Sequence, residues 1–250
     1  MSLHNSICLL KLDKSIITTI VFCFISGLIF TQTETKILAS DGNFGDSFGS
    51  SVSLENNRVI VGAESHDSNL NGIATGSTYV FDWDGSIWVE TKLSASDASQ
   101  FDRFGVSVDI DNSIVVGANG DDDNGNTSGS AYIYNWDGNN WIETKLSASD
   151  GDSSDQYGSS VSISGDRIVI GAPYDEAGGF ERGSVYVYDW DGTNWNETKL
   201  TASDGGTSDL FGWDVSIDLD RIIVSAWQDN ENGSDSGSAY IYDWDGTNWI

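Results

Sequence analysis

The stretch Tyr157 to Leu200, YGSSVSISGDRIVIGAPYDEAGGFERGSVYVYDWDGTNWNETKL, decides the architecture, because imperfect copies of it lie on either side. The aromatic-Gly pairs Phe48-Gly49, Phe104-Gly105, Tyr157-Gly158 and Phe211-Gly212 follow one another at steps of 56, 53 and 54 residues. The Trp-Asp-Gly triplets beginning at Trp83, Trp136, Trp190 and Trp244 step by 53, 54 and 54, and the Thr-Lys pairs at Thr35, Thr91, Thr144 and Thr198 keep the same phase. Units of this size cannot bury their faces alone, so they are expected to stack into one domain rather than fold separately.

Each unit resolves into four short strands. Ser159 to Ile163 alternates small polar and apolar residues, which fits a half-buried strand. Ser164-Gly165-Asp166 is a tight turn. Arg167 to Ala172 is continuously apolar, which fits a strand covered on both faces. A loop rich in Gly and acid runs from Pro173 to Arg182, then Gly183 to Trp190 alternates again, turns at Asp191-Gly192-Thr193-Asn194 and returns as Trp195 to Ala202. Four antiparallel strands repeated at this period describe β-propeller blades. The fold class expected is therefore all-β, with about four four-stranded antiparallel blades near residues 34–90, 91–143, 144–197 and 198–250. The Trp pairs around each Asp-Gly turn, such as Trp190 with Trp195, are expected to pack across the hairpin. Thr35 to Ser40 resembles a fourth strand with none before it, and Trp249-Ile250 starts another. A ring of four closed by the N-terminal strand and a fragment of a larger, seven-bladed propeller both fit, and the unpaired sheet edge favours the fragment.

Ahead of the repeats, Ile16 to Phe30 is a charge-free apolar run flanked by Lys11 and Lys14. Residues 1–33 are read as a signal peptide or N-terminal membrane anchor, with a helical apolar leader. That implies a secreted or cell-surface protein whose only approach to a membrane is this segment. The net charge of -28, from 11 basic and 39 acidic residues, opposes binding to a phosphate backbone, so nucleic acid is excluded as a partner. Cys8 and Cys23 both lie in the leader, and beyond it the only histidine is His66. No thiol chemistry is therefore expected in the repeats, and His66 reads as a loop residue rather than a base.

The aromatic-Gly followed by a Ser-Val strand and then DRIVIGAPYDE, with Gly171-Ala172-Pro173, resembles the FG-GAP repeat, the blade unit of integrin alpha subunits and of microbial surface proteins. The resemblance spans Thr35 to Ile250. It is strongest in the third copy; the others read Gly62-Ala63-Glu64, Gly117-Ala118-Asn119 and Ser225-Ala226-Trp227. It implies a seven-bladed propeller and, in the integrin branch, calcium held between the first two strands. Here that position offers only Glu55-Asn56-Asn57, Asp111-Asn112-Ser113, Ser164-Gly165-Asp166 and Asp218-Leu219-Asp220, too few oxygens for six to eight ligands. The family's calcium cage is not carried over.

The acids collect elsewhere. The loops between blades carry Asp150, Asp152 and Asp155, read as a candidate Ca2+ site because alternate carboxylates on a loop suit a hard cation, with solvated turn residues as the competing account. The loops between second and third strands carry Asp121, Asp122, Asp123, Asp175, Glu176, Asp229 and Glu231, read as a partner-binding face. Both loop sets emerge at one end of the sheets. No nucleophile-elbow serine is present, and the carboxylates recur blade by blade as scaffold does, so no catalytic residue is assigned. Two readings of function stand: a non-catalytic extracellular binding or adhesion module for a protein or glycan, with calcium as a candidate aid; and the substrate-binding propeller of a polysaccharide lyase or hydrolase whose catalytic part lies outside this chain.

Overall fold

Alternating and continuous apolar runs become strands as their patterns dictate. The first sheet is β1 (Val52–Glu55), β2 (Arg58–Ala63), β3 (Ser77–Trp83) and β4 (Trp88–Leu93). The second is β5 (Val108–Asp111), β6 (Ser113–Ala118), β7 (Ser130–Trp136) and β8 (Trp141–Leu146), and the third is β9 (Ser160–Ser164), β10 (Arg167–Ala172), β11 (Ser184–Trp190) and β12 (Trp195–Leu200). The last holds β13 (Phe211–Asp218), β14 (Arg221–Ala226) and β15 (Ser238–Asp243). Strands pair antiparallel in chain order within every sheet, so each is an up-and-down blade. This computed structural model describes residues 34–67, 73–176 and 180–250. The expected leader, residues 1–33, lies outside them. No helix occurs among the described residues, and none is therefore long and apolar enough to cross a membrane.

Two expectations change in detail. The outer strands run to Leu93, Leu146 and Leu200, three residues beyond the repeat boundaries drawn at 90, 143 and 197. Residues 34–40 form no strand, so the fourth strand that Thr35 to Ser40 resembles is not observed, and the last sheet has three strands. Ser40 instead gives both its backbone N–H, at 2.9 Å, and its hydroxyl, at 2.7 Å, to Glu90 of β4. A side chain that holds the segment as a loop takes the place of a ladder.

The polar half of the alternation in the first strands has a definite use. Ser107 Oγ, Asp109 and Asp111 of β5 accept the backbone N–H groups of Val161, Ile163 and Gly165 in the next sheet, at 3.0, 2.9 and 2.6 Å. Ser160, Ser162 and Ser164 of β9 do the same for Val215, Ile217 and Leu219, at 3.1, 3.2 and 3.1 Å. Ser51 and Glu55 begin the series at Val108 and Asn112. First strands thus run along one seam, where side chains stand in for ladder bonds that adjacent sheets cannot make, and buried N–H groups are satisfied.

Hydrophobic layers fill the space between sheets. Ile60 and Val80 of the first blade pack into a cluster with Val108, Ile110, Ile114, Val116 and Tyr132 of the second. Val115 and Ile133 face Val161, Ile163, Ile168 and Ile170, and Val169 and Val187 face Val215, Ile217, Ile222 and Val224. Because each middle strand serves two layers, β6 and β10 are buried along almost their whole length.

The Gly of Gly-Ala fixes the spacing. A Cβ on Gly117 would lie 1.9 Å from the carbonyl oxygen of Gly158, and one on Gly171 would lie 2.0 Å from that of Gly212. The aromatic-Gly corner of one blade therefore sits directly against the second strand of the blade before it. In the last blade the equivalent position is Ser225, and the outward face there, with Ile223, Ile241 and Trp227, is exposed. Gly117→Ala is expected to destabilise by about 2–3 kcal/mol, since backbone must move to admit the methyl group. Ser225→Gly should change stability by less than about 1 kcal/mol. Denaturant melts of the two variants give the comparison.

Candidate functional site

Every blade ends, at its loop side, in the same polar knot. The aromatic of the aromatic-Gly pair packs edge-on against a β-strand tyrosine: Phe104 on Tyr132, Tyr157 on Tyr186 and Phe211 on Tyr240, each with centroids 5.3 Å apart. The tyrosine hydroxyl then reaches two aspartates from the two loops. Tyr132 gives hydrogen bonds to Asp97 at 2.8 Å and Asp121 at 3.0 Å, and Tyr186 to Asp150 at 2.8 Å and Asp175 at 2.6 Å. In the last blade Tyr240 reaches Asp204 and Asp229.

Lys92, Lys145 and Lys199, the lysines of the Glu-Thr-Lys segments on the outer strands, enter this knot. Lys145 Nζ lies 2.6, 2.8 and 2.5 Å from carboxylate oxygens of Asp97, Asp121 and Asp123. Lys199 Nζ lies 2.7 Å from both Asp150 and Asp175. Burial opposes the charged ammonium of Lys145, but the hydrogen bonds it donates to Asp121, Asp123 and Asp97 outweigh it and hold its pKa above the usual lysine range. Asp97 and Asp150 are in turn held below the usual carboxylate range, lysine and tyrosine donors overcoming the burial. In the first blade His66 takes the place of the inner aspartate: it is buried, with Nδ1 3.3 Å from Ser77 Oγ and Nε2 3.1 Å from Lys92 Nζ. The glutamate of each segment has its own use, as Glu143 and Glu197 accept from Ser96 and Ser149 at the start of the loop between blades.

A second aspartate series stiffens that loop. Asp102 and Asp155 are buried, and each accepts the N–H three residues back, from Ser99 at 2.6 Å and from Asp152 at 2.7 Å. They are flanked by residues in the left-handed region, Phe101 (φ 70°) with Arg103 (φ 58°) and Ser154 (φ 75°) with Gln156 (φ 53°). Non-glycine residues held there are strained, and the buried carboxylate is the group that over-determines the turn. Burial first, then the nearby aspartates, pushes both carboxyl groups up to about 6 despite those N–H bonds.

Asp150, Asp152 and Asp155 line one cleft at the loop end with Asp175, Glu176 and Lys199. Within it Asp150 faces Lys199 and Tyr186, Asp155 is buried on the Asp152 N–H, and Asp152 is exposed. Asp121, Asp175 and Asp229 of the expected partner face are buried, which corrects their reading as a presented surface; Asp122, Asp123, Glu176 and Glu231 remain exposed. Among the described residues, the acids whose oxygens meet in ion-binding range are Asp97, Asp121 and Asp123. Lys145 Nζ already lies against all three. Of the groups that organise this end, the lysines have a signal in the sequence, the phase-locked Thr-Lys pairs, whereas the strand tyrosines are not singled out by it.

Up-and-down four-stranded sheets stacked face to face, joined along their first strands, define a propeller-type repeat module. The sequence profile of the FG-GAP repeat matches residues 31–81, 88–134, 141–188 and 195–242, and the chain belongs to that family. No curated protein sequence matches it. Among solved structures, the computationally designed Ika4 protein aligns over 84% of this chain and 99% of its own at 14% identity, with a TM-score of 0.45.

Two outcomes follow from the knot. Lys145→Met leaves three carboxylates facing one another, and is expected to cost between about 1 and 3 kcal/mol, less than a fully buried pair. Millimolar calcium should recover part of that loss in the variant and leave the parent melting curve in place; differential scanning calorimetry reads both. For Asp102 and Asp155, a folded-state pKa above the ordinary value near 4 means the folded chain holds protons that the unfolded chain has released. Their contribution therefore falls as pH rises from about 4 to about 6. The Tm of D102N/D155N should change less steeply over that window than the parent's.

Proposed function

We propose that the chain is a non-catalytic extracellular binding or adhesion module that meets a protein or glycan partner with the exposed part of its acidic loop end. The observation that carries this reading is the division of labour among the loop carboxylates. One set is consumed by the scaffold, in the tyrosine-lysine knots and the strained turns. The remainder, Asp122, Asp152, Glu176 and Glu231, is exposed beside it. Charged groups of that kind steer and select a partner more than they bind it tightly. His66 is buried against Ser77 and Lys92, which supports a structural role rather than proton transfer.

Within this reading a bridging calcium ion would use the exposed carboxylates, since Asp97, Asp121 and Asp123 already share the Lys145 ammonium. The apolar run Ile16 to Phe30 supports placement outside the cell or on its surface.

The full chain, fluorescently labelled, can be offered to a glycan array and to a panel of purified extracellular proteins. Binding is expected to weaken as salt is raised across the range where the Debye length falls below about 10 Å, and to drop about tenfold or more in E176Q/E231Q with an unchanged melt. Release of reducing or unsaturated ends from a polysaccharide by the purified chain would overturn the non-catalytic reading.

A further inference from the structure

The opposite end of the blades, where the short turns lie, carries a site that two of the three described blade interfaces fill and one leaves open. At the start of the second strand, the first and third blades place an arginine. Arg58 bonds Asp82 across the sheet at 2.7 Å and lays its guanidinium 4.8 Å from the ring centre of Trp141 in the next blade. Arg167 bonds Asp189 at 2.6 Å, reaches Asp220 of the next blade at 3.1 Å, and lies 4.7 Å from the ring centre of Trp249 and 5.2 Å from that of Trp244. Arg221 of the last blade keeps the same partner, Asp243 at 2.7 Å.

In the second blade both halves of the pair are exchanged together. Ser113 stands for the arginine and Asn135 for the aspartate, and they hydrogen-bond to each other at 2.6 Å. The turn before Ser113 is also one residue shorter, since Asp111 pairs directly with Ser113 where Ser164 pairs with Arg167 across two turn residues. Space is the result: a cleft of about 540 Å³ opens between the second and third blades, with Ser113 and Asn135 on one wall and Asp166, Asn194, Trp190 and Trp195 on the other. Trp195 is the counterpart of Trp141 and Trp249, the rings that carry guanidinium groups in the neighbouring interfaces. Asp166 is the counterpart of Asp220, the acid that Arg167 reaches, and no described Lys or Arg forms an ion pair with it.

We propose that this cleft binds an arginine side chain presented by a protein partner. The planar cation would stack on Trp195 and meet the Asp166 carboxylate, restoring in trans the contacts that Arg167 makes within the chain. Guanidinium stacks on an aromatic face and bonds a carboxylate at once, which a lysine ammonium does less well. The strongly negative net charge raises the local concentration of such a cation. Because the cleft lies at the end opposite the acidic loops, this inference does not rest on the reading of that face.

The test is a titration of the full chain with N-acetyl-L-arginine amide, followed by the indole N–H signals of the tryptophans in nuclear magnetic resonance, with Trp195→Phe supplying the assignment. Saturable shifts of the Trp190 and Trp195 signals are expected in the millimolar range, with N-acetyl-L-lysine amide at least about fivefold weaker. Ser113→Arg combined with Asn135→Asp rebuilds the neighbouring pair inside the cleft; it should raise the Tm and abolish the shifts. If that variant does not fold, Asp166→Asn in a folded chain should weaken binding about fivefold or more. No saturable shift, shifts produced by methyl glycosides instead of the arginine probe, or undiminished binding in the refilled or Asp166→Asn variant would each overturn the proposal.

Discussion

The contact on which the rest of the structure depends is backbone against backbone: the second strand of one blade, at Gly117 or Gly171, under the carbonyl of the aromatic-Gly corner of the next. Without a Cβ at that point the sheets approach closely enough for three further things to happen together. The middle strands become buried on both faces. The serines and aspartates of each first strand reach the N–H groups of the following one. The aromatic of the corner lands on the tyrosine that anchors the loop end. The pairing of aromatic-Gly with Gly-Ala, 41 residues apart in sequence at Gly117 with Gly158 and at Gly171 with Gly212, is therefore one contact seen from its two sides, and its repetition sets the spacing of the domain.

Charge is handled inside each blade before any of it reaches solvent. A chain with 39 acidic and 11 basic residues would be expected to repel itself at a loop end where aspartates converge. Lys145 and Lys199 prevent this by placing an ammonium where the carboxylates meet, and Tyr132 and Tyr186 add neutral donors beneath it. Integrin-type blades are expected to satisfy loop aspartates with calcium; here the outer strand supplies the cation covalently, at a different loop. The acidity that remains outside includes Glu176 and Glu231, whose carboxylates are exposed to solvent.

Much of this was legible in the residues. The period, the four strands per unit and the packing Trp pairs followed from pattern, since alternation and turn chemistry act locally. Trp190 and Trp195 do pair across their hairpin, with ring centres 5.3 Å apart. What could not be read was which aspartates face inward. Asp121 and Asp122 are neighbours of the same type, yet one is buried under Tyr132 and the other is exposed; the difference is made by the lysine of a strand 24 residues away. The strand expected at Thr35 to Ser40 failed for a related reason: Ser40 bonds Glu90 and the adjacent Asp41 accepts from Tyr79, and a side-chain partner removes the need for a ladder.

Repetition also changes how function is sought in such a chain. A feature present in all blades, however polar, has a sufficient explanation in folding, as the Tyr-Asp contact at the loop end does. A departure confined to one copy has none, unless its loss is compensated. Ser113 with Asn135 is such a departure, because two positions on different strands changed together and the change kept a hydrogen bond while giving up an ion pair and a stacked cation. Folding alone gains nothing from that exchange: the cleft it leaves forfeits contacts that the neighbouring interfaces keep. Where a repeat protein carries an uncompensated vacancy of defined shape, walled by the same tryptophan and aspartate that hold an arginine next door, the scaffold itself describes the chemistry of what belongs there.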